Sequence, residues 1–173
     1  MDMEKKKTVF LTGATGNMGW AGFQELYKRA KHNIRILARD SRKNHKLLDR
    51  YAADPSVTVI WGDLTRYEDV LRGVAGADYV LHVGGMVSPA ADYYPEKTYE
   101  VNVAAAENVV KAVLAQPDRD EMRVVYIGSV AQYGDRSVPN HWGGVDDPQI
   151  PAEFDMYAAS KIRSEEIFAE AGL

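Results

Sequence analysis

Two side chains near the end of the chain have the types and the spacing for proton transfer. Tyr157 and Lys161 stand in the stretch "YAASK", and on a helix residues four apart lie on one face, one turn from each other. A free tyrosine has a pKa near ~10 and is a poor base at neutral pH, but a neighbouring ammonium group favours its phenolate. The spacing therefore allows Lys161 to favour the phenolate of Tyr157, the form in which a tyrosine can act as a base. The alternative is an ordinary surface pair, since tyrosine and lysine at this spacing are common on exposed helices.

A glycine-rich stretch near the start has the spacing of a phosphate-binding loop. In "TVFLTGATGNMG", residues 8–19, Gly13, Gly16 and Gly19 follow a short apolar run. A helix that begins here offers unpaired N–H groups and the positive end of its dipole to a phosphate, and glycine leaves the approach open. Gly13 suits the turn that leaves the strand, Gly16 the close passage of a pyrophosphate, and Gly19 the packing of helix on strand. The loop predicts a dinucleotide site, and the alternative is a glycine-rich turn without a ligand.

The elements that must position these residues alternate along the chain. Short apolar runs rich in β-branched residues predict five strands, with helix-like stretches between them. The predicted strands are 8–11, 34–38, 57–61, 79–83 and 124–128, and the predicted helices are 17–30, 41–52, 67–74, 95–116 and 156–171. This alternation predicts a doubly wound α/β fold, a parallel sheet between two layers of helices. Two long irregular segments, 84–94 and 131–155, are expected to be functional, as long loops in compact domains usually are.

The composition excludes several classes of function. The chain has 173 residues, of which 46% are hydrophobic, which is enough for one domain with a core. A net charge of −4 does not favour a nucleic acid or an anionic membrane as partner, and no run approaches the length of a membrane span, so we expect a cytoplasmic protein. Without cysteine there is no disulfide, thiolate metal site or cysteine nucleophile. The four histidines, His32, His45, His82 and His141, lack ligand spacing, so we predict no metal site and a structural role for His82.

Six motifs in order resemble those of the extended short-chain dehydrogenase/reductases, a family that includes nucleotide-sugar epimerases and dehydratases. The glycine spacing Gly-x-x-Gly-x-x-Gly is the first and Tyr-x-x-x-Lys the last. Between them stand "WGDL" at 61–64, "HVGG" at 82–85, "VNVAAAENVV" at 101–110 and "YIGSVAQYG" at 126–134. The resemblance implies a Rossmann fold and hydride transfer between a nicotinamide cofactor and an alcohol or carbonyl carbon. A sugar nucleotide, a steroid-like alcohol and a small carbonyl compound all stay open as the small-molecule substrate.

The resemblance also implies a role for each candidate residue. Tyr157 is the general acid/base, Lys161 favours its phenolate and bonds the nicotinamide ribose, and Ser129 polarises the same substrate oxygen. Asn102 supports a water or main-chain contact behind the lysine. Besides Tyr157 and Lys161, the expected cofactor contacts are Gly13, Thr15, Gly16, Asn17, Met18, Gly19, Arg39, Asp63, Leu64, Val83 and Gly84, with Asp63 at the adenine. "IGS" replaces the family's run of hydroxyl residues and "GG" its common pair of alanines, but neither departure removes a required group.

The residues after the second predicted strand bear on the choice of cofactor. Arg39 stands about 20 residues beyond the last glycine, where the cofactor ribose is read. With Arg42 and Lys43 it predicts NADP, because a guanidinium can grip a 2′-phosphate with paired hydrogen bonds. Two alternatives stay open. Asp40 could take the ribose hydroxyls of NAD, or "RDSRKN" could be a solvated turn with Ser41 as the N-cap of the second helix.

The resemblance also bears on the extent of the chain. In the family, the substrate pocket is formed mainly by a portion beyond a sixth strand, and this sequence stops at Leu173. We therefore expect residues 1–173 to be the cofactor-binding domain, with little turnover alone. We also expect it to form a homodimer, through the edge of the fifth strand or through helices 95–116 and 156–171. The alternatives are a non-catalytic dinucleotide-binding fragment and an NADP-sensing regulator, and the Tyr-x-x-x-Lys pair argues against the regulator.

Overall fold

The computed structural model describes residues 6–135 and 143–173. Predictions that fall on 136–142, namely His141 and the middle of segment 131–155, lie outside the described residues. The strands are β1 Thr8–Thr12, β2 Asn33–Ala38, β3 Val57–Trp61, β4 Tyr79–His82 and β5 Arg123–Tyr126. The α-helices are α1 Asn17–Arg29, α2 Arg42–Leu48, α3 Tyr67–Val74, α4 Ala90–Tyr93, α5 Pro95–Leu114 and α6 Met156–Glu170. Short 3-10 turns cover Asp49–Tyr51, Arg119–Glu121 and Val130–Tyr133.

The strands form one parallel sheet in the order β3-β2-β1-β4-β5. The central strand β1 places Leu11 opposite Ile36 of β2 and Leu81 of β4. Because all ladders are parallel, the carboxyl ends of the strands meet at one edge of the sheet. The predicted doubly wound α/β fold is confirmed. Within the described residues β5 pairs with β4 alone and is an edge strand, and association through this edge stays a prediction.

The second helix is shorter than predicted. It begins after Ser41, whose hydroxyl accepts a hydrogen bond from the Asn44 N–H at 3.3 Å, as expected of an N-cap. It ends at Leu48, and a 3-10 turn over Asp49–Tyr51 takes its place. Apolar periodicity continues through both parts, so the sequence pattern did not separate them.

Segment 84–94 is also more ordered than predicted. It contains α4, Ala90–Tyr93, and the hydroxyl of Ser88, which precedes this helix, donates to the Asp92 carboxylate at 2.7 Å. A helix of four residues is too short to show an apolar period, which explains why it was missed. None of the helices in the described residues is long and apolar enough to cross a membrane.

The chain divides into two compact units. The first consists of the residues up to Gly84 together with Asn108–Tyr126, and it contains the whole sheet. Its core is a cluster of apolar residues that are almost fully buried, including Leu11, Phe23, Ile34, Ile36 and Leu48. The second unit consists of Gly85–Glu107 and Ile127–Leu173, and it contains α4 and α6. Its buried apolar residues include Ala91, Ala105, Ala158, Ile167 and Phe168.

Candidate functional site

The first unit contains all of the predicted cofactor contacts except Tyr157 and Lys161, and several of them follow strands at one edge of the sheet. Gly13 follows β1, Arg39 follows β2, Gly62 and Asp63 follow β3, and Val83 follows β4. In open parallel sheets, ligands bind at the carboxyl ends of the strands. The sequence placed these residues in separate motifs, and the sheet order brings their backbones to one edge.

The glycine loop is a cradle that side chains would fill. Gly13 has a φ of +72°, and a Cβ there would lie 2.7 Å from the Cα and N atoms of Gly84. A Cβ on Gly19 would lie 2.1 Å from the carbonyl oxygen of Gly13. Both contacts are with backbone, which cannot swing aside as a side chain can. The loop therefore requires glycine at both positions, one for the turn and one for the approach of helix to strand.

The same loop presents the start of α1 without a side-chain cap. Gly16 is the N-cap residue, and the Gly16 N–H donates to the Gly13 carbonyl at 2.9 Å. Thr15 is half-buried, whereas Gly16, Asn17 and Met18 are exposed. No side-chain hydrogen bond caps the helix at Gly16, so its first N–H groups and the positive end of its dipole face the approach that the glycines leave open. These features fit the pyrophosphate of a dinucleotide.

A buried pair of side chains braces the strand ends around this loop. The Thr12 hydroxyl and Nδ1 of His82 are 2.9 Å apart, and the Gly84 N–H donates to the Thr12 hydroxyl oxygen at 2.9 Å. His82 is 2% exposed and its ring stacks against Tyr126. The predicted structural role of His82 is confirmed: the pair links the end of β1 to the segment that contacts Gly13.

The loop after β3 is held from the neighbouring helix. The Asp63 N–H donates to the Asp69 carboxylate at 3.0 Å, and Oδ1 of Asp63 accepts from the backbone N–H of Thr65 at 2.9 Å. Asp69 is 6% exposed, and its pKa is lowered chiefly by the hydrogen bond from Asp63, with further help from Arg72. The Leu64 carbonyl accepts from the Asn108 side chain at 2.8 Å. Asp69 was not identified from the sequence.

The turn after β2 carries the residues expected to distinguish NAD from NADP. Arg39 is exposed, and its carbonyl accepts from the Asn44 side chain at 2.7 Å. His45 lies between Asp40 and Asp49, at 3.0 and 3.1 Å, and its ring stacks on Trp61 with centroids 3.9 Å apart. The hydrogen bonds to Asp40 and then Asp49 raise the pKa of His45. One oxygen of the Asp40 carboxylate is thus bonded to a histidine.

The second unit carries Tyr157 and Lys161 on α6. Asp155 caps this helix, accepting from the Ala158 N–H at 2.8 Å, so Tyr157 lies in the first turn. Tyr157 lines a cavity of about 480 Å³ together with Ser88, Asp92, Phe154 and Asp155. Lys161 is half-buried, and burial lowers its pKa to about 8, an effect that the charge of Glu165 partly opposes. Lys161 is therefore more buried than a lysine of an ordinary surface pair would be.

Ser129 caps a short turn in the same unit. It is the N-cap of the 3-10 turn Val130–Tyr133, where its hydroxyl oxygen accepts from the Ala131 N–H at 3.3 Å. The Ser129 N–H donates to the Gln132 side chain at 2.6 Å, which completes a capping box. Because the cap uses the hydroxyl as an acceptor, its hydrogen can still be donated.

Asn102 is a buried connector. It is 5% exposed, its side-chain oxygen accepts from the Met86 N–H at 2.7 Å, and its nitrogen donates to the Ser160 hydroxyl at 2.9 Å. Ser160 in turn donates to the Tyr157 carbonyl at 2.7 Å. A Cβ on Gly85 would lie 2.9 Å from the Asn102 oxygen, so glycine permits this approach. Asn102 thereby links the segment after β4 to the backbone of α6 at Tyr157.

Several of these supporting residues are absent from the sequence-based predictions. They are Thr12, Asp69, Gln132, Ser160 and Glu165. Of these, Gln132 alone had a local signal, since Ser-x-x-Gln is the pattern of a capping box. The others act through contacts between segments distant in sequence. Over residues 6–135 and 143–173, no three histidine, aspartate or glutamate side chains are grouped so as to hold a metal ion.

Several known proteins are similar to this chain in sequence or in fold. The UDP-glucose 4-epimerase of Rickettsia akari (strain Hartford) is 32% identical over 114 residues, which cover 62% of this chain and 33% of that protein. The dTDP-glucose 4,6-dehydratase from Streptomyces venezuelae, solved with NAD and TYD bound, superposes with a TM-score of 0.78 at 21% identity, over 96% of this chain and 53% of that one. The UDP-glucose 4-epimerase of Thermus thermophilus, a complex with NAD, gives 0.74 at 22% identity, over 95% and 50%.

These relatives differ from the chain in length. The chain spans about a third of the length of the curated relatives that it matches, and the two solved structures show that the fold is shared. A sequence model of the NAD dependent epimerase/dehydratase family matches residues 9–172, which is nearly the whole chain. The chain belongs to the NAD dependent epimerase/dehydratase family.

Proposed function

We propose that residues 1–173 are the nicotinamide-dinucleotide-binding part of an enzyme that transfers hydride at an alcohol or carbonyl carbon of a nucleotide sugar. The observation that carries the proposal is the glycine cradle at the start of α1. Backbone stands within 3 Å of the place where a Cβ would be at both Gly13 and Gly19, and the helix is uncapped by side chains. A loop that only turned the chain would need glycine at Gly13 but no open helix terminus.

Each unit has its own part in this function. In the first, Gly13, Gly16 and Gly19 would hold the pyrophosphate, and Asp63 would bond the adenine. The bound dinucleotide supplies the hydride acceptor or donor. In the second unit, Tyr157 would give or take the hydroxyl proton of the substrate, and Ser129 would donate a hydrogen bond to the same oxygen.

Lys161 would support Tyr157 by its charge. With a pKa of about 8, its ammonium is the major form at neutral pH, and a positive charge one helical turn away favours the phenolate. Lys161 would also hydrogen-bond the nicotinamide ribose. Asn102 would act behind it by donating to the Ser160 hydroxyl at 2.9 Å, which in turn donates to the Tyr157 carbonyl of α6.

The turn after β2 bears on which dinucleotide would bind. Arg39, Arg42 and Lys43 support NADP, and Asp40 is already bonded to His45 at 3.0 Å. NAD is supported by the relatives, since both solved structures named above contain it. Our prediction stays with NADP as the tighter ligand, with NAD as the alternative.

The substrate class comes from the relatives. The proteins that match in sequence are named UDP-glucose 4-epimerase, and a nucleotide sugar is therefore the substrate we propose for the whole protein. The cavity beside Tyr157 would receive the reacting part of that substrate. The alternative is that residues 1–173 bind the dinucleotide without turnover, and homodimer formation also stays a prediction.

Calorimetry with NAD and NADP tests the proposal directly. We expect one of the two to bind the chain, and Gly13→Val to abolish binding because its side chain would meet Gly84. Tyr157→Phe is the matched control and should bind the dinucleotide as the parent does. If neither dinucleotide bound the folded parent chain, the proposal would be wrong.

A further inference from the structure

A hydrogen-bonded group of three side chains connects α6 to the turn that begins at Ser129. The Glu165 carboxylate accepts one bond from the Gln132 side-chain nitrogen and a second, at 3.0 Å, from that of Gln149. Both carboxylate oxygens are engaged in this way. All of these residues belong to the second unit.

The chemistry of the group fixes the orientation of Gln132. An ionised carboxylate can only accept hydrogen bonds, so the amide nitrogen of Gln132 must face Glu165. Its oxygen then points the other way, where it accepts from the Ser129 N–H at 2.6 Å. Gln132 is 2% exposed, and a Cβ on Gly128 would lie 2.8 Å from its oxygen. The carboxylate therefore determines which end of the amide meets the backbone of Ser129.

Glu165 also lies on the helix that carries the proton-transfer pair. It stands one turn after Lys161 and two turns after Tyr157, so all three share a face of α6. Its negative charge favours the ammonium form of Lys161, against the burial that lowers the pKa of this lysine to about 8. The other titratable groups on the short elements that contact α6 are Tyr133 on the 3-10 turn, and Asp92 and Tyr93 on α4.

We infer that Glu165 is a positioning residue for proton transfer: through Gln132 it fixes the backbone of Ser129, and from α6 it supplies a counter-charge one turn from Lys161. The inference rests on the proposed function, which assigns Ser129 and Lys161 their roles. Glu165 would act through these two partners. Glu165 would couple Ser129 on the turn to the acid/base pair on α6. The same carboxylate would fix the position of the Ser129 backbone and favour the charged form of Lys161.

The chain offers a matched control for the charge of Glu165. Glu166 is the next residue on α6, is exposed, and pairs with Arg163 at 3.0 Å. Glu165→Gln and Glu166→Gln remove the same charge from the same helix, and both replacements keep the side-chain length. The pKa of the Lys161 ammonium would be measured by NMR on protein with isotope-labelled lysine, with Lys161→Arg to assign the signal.

We expect Glu165→Gln to move the pKa of Lys161 below about 8, because the charge of Glu165 that opposes the effect of burial would be gone. Glu166→Gln should leave it at about 8. A residue that only held the fold together would not shift this titration. Equal pKa values for Lys161 in the two variants would overturn the electrostatic half of the inference.

The link to Ser129 is tested by amide hydrogen exchange. Glu165→Ala leaves Gln132 without its anchor, and loss of a hydrogen bond of ordinary strength should speed exchange of the Ser129 amide by roughly tenfold. Glu166→Ala should not change it. If the Ser129 amide exchanged equally in both variants, Gln132 would be held by its burial alone and the coupling would be absent.

A third variant keeps the test decisive if Glu165→Gln or Glu165→Ala does not fold. Glu165→Asp retains the charge but withdraws the carboxylate, so exchange of the Ser129 amide should rise while the pKa of Lys161 stays at about 8. No change in Ser129 exchange would refute the link. All of these measurements are made on the chain without dinucleotide or substrate, so their failure is distinguishable from a failure of the proposed function, which appears as absent dinucleotide binding.

Discussion

The two glycines on α1 give a prediction with an internal control. In Gly19→Ala the new Cβ would lie 2.1 Å from the oxygen and 2.6 Å from the carbon of the Gly13 carbonyl, and 3.0 Å from the Ala14 nitrogen. All three atoms are backbone, so the loop itself must move. In Gly22→Ala, one turn later on the same helix, nothing lies within 4 Å of the new Cβ.

The two substitutions should have opposite effects on stability. Alanine in place of glycine in a helix gains roughly 0.5 to 1 kcal/mol, and Gly22→Ala should keep that gain. Overpacking costs roughly 1 to 3 kcal/mol, and a contact this short with backbone belongs at the upper end, so Gly19→Ala should lose about 2 kcal/mol net. At about 2 to 4 °C per kcal/mol for a chain of this size, the melting temperature should fall by about 4 to 8 °C, against a rise of about 1 to 4 °C for Gly22→Ala.

Thermal unfolding and calorimetry with NAD and NADP measure both effects. A displaced Gly13 carbonyl also displaces the loop that would hold the pyrophosphate, so dinucleotide affinity should fall about tenfold or more in Gly19→Ala and stay unchanged in Gly22→Ala. If Gly19→Ala melted and bound like Gly22→Ala, the close approach of helix to loop would not be required, and the cradle would lose its structural basis.

Three further predictions concern other residues. In a form of the protein that turns over, Tyr157→Phe should lower turnover by ~10² to 10⁴ with dinucleotide affinity nearly intact, and normal turnover would remove Tyr157 as the acid/base. Arg39→Ala should narrow the preference for NADP over NAD by ~1 to 3 kcal/mol, which calorimetry checks, and equal affinities in the parent would show that no preference exists. Because Asp40 and then Asp49 raise the pKa of His45, its stabilising effect is complete below its unfolded pKa of ~6.5 and is lost as pH rises through the higher folded value. The deficit in the free energy of unfolding of His45→Gln, measured in urea, should thus be larger at low than at high pH, and a deficit independent of pH would contradict the assignment.

The sequence by itself was sufficient for the order of the elements and the class of the sheet. Strands such as Val57–Trp61 are short apolar runs, and helix α3 begins and ends where predicted. Parallel pairing followed because strands buried on both faces and separated by helices have no other common arrangement. The identity of the family was likewise present in local motifs, since glycine spacing and Tyr-x-x-x-Lys are properties of contiguous residues.

Element ends were less predictable because they depend on caps and short turns. The 3-10 turn after α2 continues the apolar pattern of the helix and was not separated from it, and the four-residue helix α4 is too short to show an apolar period. The sequence also left open whether Asp40 would bind the ribose hydroxyls of NAD. It could not show that this carboxylate bonds His45, because that contact forms only in the folded turn.

The residues that hold the candidate site in place were decided by the tertiary structure. Asp69 bonds the backbone of Asp63, and Thr12 bonds the Gly84 N–H across 72 residues of sequence. Glu165 accepts from Gln132, 33 residues away. A carboxylate or hydroxyl has the same letter in the sequence whether it faces water or a buried amide, and only the packing of distant segments determines which partner it meets. The sequence therefore supplied the candidate residues for the chemistry, and only the tertiary structure determined which residues bond to the segments that carry them.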